Sequence, residues 1–210
     1  MMRKARRADV PAMAEFLVDR FWQTEHFVFL REGMQAPREV LLRMTRREMT
    51  FYCTQHEVWL YDDHMSGLLG VDGPESENPL AQLICAGQVG WDVLHLPTHD
   101  RRLLLARNRR IAQIHAVNWH RKYTEKAYHI SQLAVARQAK GTGVCRALIQ
   151  PVLDRAKEQG VDVVLETFTQ DNVALYEHFG FVLTETHTSP QMPYAEYCMI
   201  YHSGSPRAKT

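Results

Sequence analysis

The 210-residue chain has 45% apolar and 23% charged residues and a formal net charge of +1, the make-up of an ordinary soluble globular protein. A field this close to neutral gives no reason to expect nucleic acid or a membrane surface as partner. No apolar run reaches the roughly 18 residues of a membrane span.

The first residues, "MMRKARRADVPAMAEF", are basic but lack the apolar stretch of a secretory signal, and Asp9 and Glu15 come early. The four cysteines, Cys53, Cys85, Cys145 and Cys198, form no C-x-x-C. They read as reduced thiols, which makes a cytoplasmic location the expectation. None of the eleven histidines has a metal-binding spacing, since His115 and His120 stand five apart and no H-E-x-x-H occurs. No metal is therefore expected.

A short strand opens the chain. Asp9 then reads as an N-cap with Pro11 in the first turn of a helix. Its apolar set is Met13, Phe16, Leu17 and Phe21. A second helix follows Pro37 with Val40, Leu41, Met44 and Met49 inward. "HEVWLYDDHMSGLLGV" reads as a hairpin turning at Asp62, Asp63 and Gly67. "DGPESENP" is a polar loop. Two helices are then expected near 79–93 and 100–122. The second is rich in cations, with Arg101, Arg102, Arg107, Arg109, Arg110, Arg121 and Lys122, and Lys126 nearby. They read as a solvated face opposite Leu104, Ile111, Ile114, Val117 and Trp119; a nucleic-acid stripe is the other reading.

From 128 onward the rhythm is clearer. Tyr128 to Val135 is a strand. Val144, Leu148, Val152 and Ala156, with Leu153, set a helix that Gly160 ends. Pro151 falls inside it and predicts a kink, or a shorter helix beginning after it. "VDVVLETF" is a strand. "DNVALYEHFGF" is a helix capped by Asp171 or Asn172, with Gly180 past its end. "FVLTETHT" and "AEYCMIYH" are two final strands, and "SGSPRAKT" is expected to be a disordered tail. The sum is a mixed α/β domain over 1–202, with a helical insertion at about 74–124 and a tail at 203–210.

Between strand and helix lies "RQAKGTGV", Arg137 to Val144. It lacks the Lys-Ser/Thr of a P-loop and the third glycine of a dinucleotide fingerprint. The physics of anion binding still applies. Gly141 and Gly143 admit close backbone approach, the helix start offers free N–H groups, and Arg137 and Lys140 add charge.

"QAKGTG" fits the Q/R-x-x-G-x-G/A motif of the GNAT superfamily of N-acetyltransferases. "LAV", Leu133 to Val135, resembles the end of that family's fourth strand, and "NVALYEHFGF" its later helix and Gly-Phe turn. The resemblance implies a mostly antiparallel sheet flanked by helices and acetyl-CoA as co-substrate. It implies transfer of the acetyl group to a primary amine of a small molecule or protein, by direct attack.

Leu133, Ala134 and Val135 would pair with the pantetheine arm as an added strand. The amides of Gln138, Ala139, Lys140, Gly141, Thr142, Gly143 and Val144 would hold the pyrophosphate. Asn172 would touch pantetheine or start the helix. Tyr176 aligns with the family's general-acid tyrosine. Glu166 and His129 are candidates for the base, and Cys145 is expected to be structural. Two departures from the pattern stand out: Asn172 and Tyr176 are four apart where seven is common, and Ala139 replaces a frequent glycine. The implied assembly is a monomer or homodimer without nucleic acid or membrane. The alternative is a non-catalytic acyl-CoA-binding or sensor module on the same fold.

Overall fold

The computed structural model describes residues 2–75 and 78–204. Most of the tail and part of the "DGPESENP" loop lie outside the described residues. Seven strands form one sheet in the order β1-β2-β3-β4-β5-β7-β6. They are β1 (Arg3–Lys4), β2 (Glu57–Leu60), β3 (Gly67–Asp72), β4 (Ala127–Val135), β5 (Asp162–Thr167), β6 (Val182–His187) and β7 (Glu196–Tyr201). Only β4 and β5 run parallel; every other neighbouring pair is antiparallel.

The helices are α1 (Val10–Phe21), α2 (Glu25–Arg31), α3 (Pro37–Gln55), α4 (Pro79–Leu94), α5 (Thr98–Ile111), α6 (Val144–Gln159) and α7 (Gln170–His178). One face of the sheet receives α6 and α7. Leu148, Ile149, Val152, Leu153 and Ala156 of α6 meet Leu69, Val71, Tyr128, Ile130, Val163 and Leu165 of the strands in the largest core. The other face receives α1 and α3, with Met13, Leu17 and Met49 against Leu60, Leu68 and Ala134.

Gly67 fixes how closely α6 lies on β3. A Cβ there would stand 2.6 Å from Val144 Cγ1 and 2.8 Å from Leu148 Cδ1, closer than packed carbons approach. α6 runs unbroken through Pro151, whose ring is on the exposed side. The shorter helix beginning after Pro151 is not what forms. The six buried apolar residues of α6 carry the helix past the missing N–H.

Three sequence expectations need correction. α2 was not foreseen; Thr24 caps it, accepting from the Phe27 N–H, and Phe29 and Leu30 bury it. Asp9 precedes α1 but makes no side-chain cap on it. Instead its carboxylate takes the Arg6 N–H at 2.7 Å and the Arg3 guanidinium at 2.8 and 2.9 Å. The helix expected over 100–122 ends at Ile111. Residues 112–118 cross the sheet irregularly, Asn118 takes φ 57°, and Trp119–Lys122 form a 3-10 turn. In that crossing His115 Nδ1 and the Ala116 N–H bond Glu196 of β7 at 2.6 and 3.2 Å, and Gln113 bonds Gln191 in the loop before β7 at 3.1 Å. The cations divide between uses. Arg107 donates to Leu30 O at 2.6 Å and Arg101 to Leu94 O at 2.9 Å, whereas Arg102, Arg109 and Arg110 are exposed.

Candidate active site

The site begins with an extra residue in β4. Gly70 faces Gln132 and Val71 faces Ile130, so Ser131 bulges out of the ladder. A bulge bends its strand and resets the side-chain alternation. Tyr128 and Ile130 before it and Leu133 and Val135 after it therefore pack against the same core. The bend also separates β4 from β5. Their pairing runs from Ala127↔Asp162 to Ile130↔Leu165 and stops there. Past Ile130 the β5-facing edge of β4 has no strand partner among the described residues. At the far end of that edge Val135 O accepts from Arg20 Nε at 2.7 Å.

β4 runs directly into the glycine motif. Arg137–Ala139 form a 3-10 turn, and α6 starts after Gly143. Gly141 and Gly143 adopt φ 78° and 88°, and nothing lies within 4 Å of a Cβ built on either. Both have the left-handed backbone that glycine supplies without strain, beneath open space. The intrahelical ladder begins at Ala147, whose N–H donates to Gly143 O at 2.9 Å. The N–H groups of Val144, Cys145 and Arg146 precede it at the positive end of the helix.

Thr142 Oγ1 donates to Ala139 O at 2.7 Å and braces the loop. Ala139 is buried and has no positive φ, so a methyl costs nothing where glycine is frequent. Val144 buries its side chain in the core and offers only its backbone. Gln138 and Lys140 are exposed. These residues fit a pyrophosphate: open glycine backbone, an uncapped helix start and flanking cations.

Between the separated strands lies a cavity of about 280 Å³. Leu133, Asn172 and Tyr176 line one side; Phe21, His26, Phe27, Glu48 and Phe168 are also in its wall, as is Glu166. Tyr176 is buried, and its hydroxyl has no partner among the described residues. Burial, with the Cys145 thiol nearby, pushes the phenol well above the ordinary tyrosine value. It is thus a protonated donor. Burial likewise raises Cys145, so this thiol remains protonated and structural. Asn172 does not cap α7. Thr169 holds that place, and Asn172, inside the first turn, donates from Nδ2 to Thr167 Oγ1 at 3.0 Å. One side-chain bond thereby ties α7 to the end of β5.

His129 is not the free base its type suggested. Its Nε2 lies 2.6 Å from Glu166 Oε2 and its Nδ1 3.1 Å from Asp72 Oδ2. Burial works against charge on the ring, but the two carboxylates prevail and raise it to about 10. At neutral pH it is an imidazolium with no lone pair for an amine proton. Glu166 is also engaged. Burial pushes its carboxyl up, but His129 outweighs this and, with the Trp119 indole N–H bonded to Oε1, holds it below the ordinary value.

Sequence reasoning missed two cavity residues. Glu48 on α3 accepts from Gln132 Nε2 at 3.0 Å. Its surface is open to solvent, yet protein crowds it. That crowding, with the charge of Asp72, raises its carboxyl, and the Gln132 amide offsets this only in part. His26 stacks on Phe168 with centroids 4.7 Å apart and bonds Tyr194 Oη through Nδ1 at 2.7 Å. Burial lowers it to about 4, so it is neutral. Glu48 was one acid among many on a surface helix, and the helix carrying His26 went unread. Without the bulge, nothing placed either near β4.

The fold also gathers ligand-type atoms of His187, Glu196 and Cys198 within 4.8 Å of one another, although no metal spacing marked them. Hydrogen bonds from His115 to Glu196 at 2.6 Å and from His187 to Glu185 at 2.6 Å already engage this group.

A parallel pair that parts at a bulge, followed by a glycine turn opening a helix, is a specific arrangement. The sequence profile of the Acetyltransferase (GNAT) family matches residues 91–181. That stretch runs from the end of α4 to Phe181 and includes the bulge, the glycine turn and α7. Residues 91–181, a little under half of the chain, match this acetyltransferase family, and the fold around them is the GNAT fold.

Among solved structures, the GNAT fold recurs in a Corynebacterium glutamicum protein described as histone acetyltransferase HPA2 and related acetyltransferase. The TM-score is 0.67, with 18% identity over 99% of this chain and 98% of that one. It recurs in Drosophila melanogaster polyamine N-acetyltransferase with TM-score 0.53 and 16% identity, over 96% and 99% of the two chains. At these identities the likeness concerns fold alone. Among curated relatives, N-acetyltransferase 8B of Rattus norvegicus is 44% identical over 62 residues, covering 28% of this chain and 28% of that protein. The match to Probable N-acetyltransferase family 8 member 5 of Mus musculus is 40% over 62 residues, covering 28% and 27%. The aligned stretch thus spans about a quarter of each relative's length. No helix among the described residues is long and apolar enough to cross a membrane.

Proposed function

We propose that this GNAT domain is an N-acetyltransferase that moves an acetyl group from acetyl-CoA to a primary amine by direct attack. The observation that carries the reading is the edge of β4 past Ile130, free of β5 and leading to Gly141 and Gly143. A chain of amides can complete that edge as an extra strand, and the α6 start can take the pyrophosphate that follows. The co-substrate supplies an activated acyl group.

This chain's residues hold and polarise. A backbone N–H on the free edge of β4 faces the charge that develops on the acyl oxygen. Tyr176 donates a hydrogen bond to the sulfur as it leaves. With its phenol raised, donation rather than full proton transfer is the fitting role, since the departing thiol has a pKa of about 8.5. Glu166 and His129 hold each other, and with Trp119 and Asp72 they fix the β4–β5 junction below the bulge.

Thermal unfolding with and without acetyl-CoA, followed by free-thiol detection with an amine panel, tests the reading. Binding to the folded chain raises its unfolding temperature, and turnover releases thiol. No shift at millimolar acetyl-CoA sinks the proposal. A shift with no thiol release from any amine replaces it with a non-catalytic acyl-CoA-binding module.

A further inference from the structure

We infer that the acceptor is an arylalkylamine, a primary amine on a short alkyl arm of an aromatic ring and lacking a carboxylate, and that Glu48 receives its ammonium group and takes its proton. The inference rests on the acetyltransferase reading and concerns the part of the cavity that reading does not use. Phe21, Phe27, Phe168 and the neutral His26 furnish aromatic wall, with Phe168 and His26 stacked at 4.7 Å. Flat apolar groups gain both burial and ring–ring contact against such a wall.

The unpaired charge in the wall is negative, since Glu166 is already matched by the His129 imidazolium. Glu48 and Glu166 line the cavity, and no lysine or arginine does. A cation is attracted there, whereas a substrate carboxylate would meet the Glu48 carboxylate without a partner. Of the two acids, Glu166 has both oxygens occupied by His129 and Trp119. Glu48 has one bond, from Gln132, the residue beside the bulge and next to Leu133 on the free edge. It is the carboxylate with capacity left for an ammonium. The protein around its carboxyl and the Asp72 charge both favour its holding a proton.

The chemistry balances. Glu48 takes one proton from R–NH3+, and the freed lone pair forms the N–C bond as the C–S bond breaks. A second nitrogen proton is lost as the amide forms. One of the two protons ends on the thiol and the other in solvent.

The test uses the full chain, acetyl-CoA and free-thiol detection with 2-phenylethylamine, n-butylamine and phenylalanine. The expected kcat/KM for 2-phenylethylamine is roughly tenfold that of n-butylamine, the discrimination an apolar pocket gives. It is about 100-fold that of phenylalanine, which brings a carboxylate. Glu48→Gln lowers kcat/KM by roughly 100-fold while keeping the acetyl-CoA thermal shift, and Glu48→Asp recovers part of the loss. Phe168→Leu narrows the preference for the aromatic amine.

If acetyl-CoA does not shift unfolding, or if no amine releases thiol, the transferase reading fails and this inference with it. If thiol is released but n-butylamine or phenylalanine matches 2-phenylethylamine, the aromatic-amine assignment is overturned. Retained activity in Glu48→Gln overturns the role of Glu48.

Discussion

The two ends of β4 differ in everything except chain continuity. From Ala127 to Ile130 the strand is bonded on both sides, and His129 sits between Asp72 and Glu166. From Ser131 to Val135 it keeps β3 and has lost β5. The first end spends its polar groups on holding the sheet together, and the second leaves an edge free. One inserted residue separates them. An exposed sheet edge is ordinarily an aggregation hazard. This one opens into a cavity between α1, α3 and α7, where a ligand can complete it and a second chain cannot readily reach.

The largest expected effect lies at the free end. Gly143→Asp should abolish the acetyl-CoA thermal shift, which for wild type at 100 times Kd amounts to about 2.7 kcal/mol. Gly143 has φ 88° and open space around it, so Asp or Asn is strained there but meets no clash, and these two tolerate positive φ better than other side chains. Gly143→Asn should retain part of the shift. If the Asp variant binds acetyl-CoA as wild type does, the pyrophosphate assignment is wrong.

Tyr176→Phe comes next. Losing a donor to a developing charge costs roughly 1.5–3 kcal/mol, so kcat should fall about 10- to 100-fold. The unfolding temperature should hold or rise, since the hydroxyl has no protein partner to lose. An unchanged kcat removes Tyr176 from the mechanism.

Gly67→Ala tests the support beneath the glycine turn. Its Cβ would press on Val144 and Leu148, both buried, and Val144 is stiff at χ1. Overpacking of this kind costs about 1–3 kcal/mol, lowering Tm by roughly 2–4 °C per kcal/mol in a chain of this size. Wild-type stability in that variant would mean α6 slides on β3 without penalty.

The sequence made the free end far more legible than the bonded one. "QAKGTG" announces itself because anion binding by backbone needs glycine at fixed places. "NVALYEHFGF" likewise carries Tyr176 at a readable spacing. The bulge left no such mark, since Ser131 is one polar residue in a strand of mixed burial. A regular strand would set Tyr128 and Leu133, five apart, on opposite faces, so the parting from β5 leaves no pattern in the sequence. His129 was chosen as a base from its residue type alone. What it became depends on Asp72 and Glu166, brought to it from β3 and β5 by register. Asparagine favours caps, which points to Asn172, yet Thr169 precedes it with the extended backbone a cap requires.

A pH profile separates the bonded end from the free one. His129 is raised from 6.5 to about 10 by its two carboxylates, against the cost of its burial. A folded-state pKa above the unfolded value stabilises fully below about pH 6.5 and is lost as pH rises through about 10. Unfolding temperature should therefore fall between those limits in wild type. His129→Gln cannot titrate there. Its curve should start lower, because Asp72 and Glu166 are left facing each other without a cation, and should then run flatter. The acetyl-CoA shift of that variant, measured at pH 7, should survive, since the free edge past Ile130 does not include His129. Parallel curves for the two proteins would mean His129 is not charged in the folded chain. Loss of the shift in His129→Gln would mean the two ends of β4 are not independent, and that the charged junction holds the bulge in place.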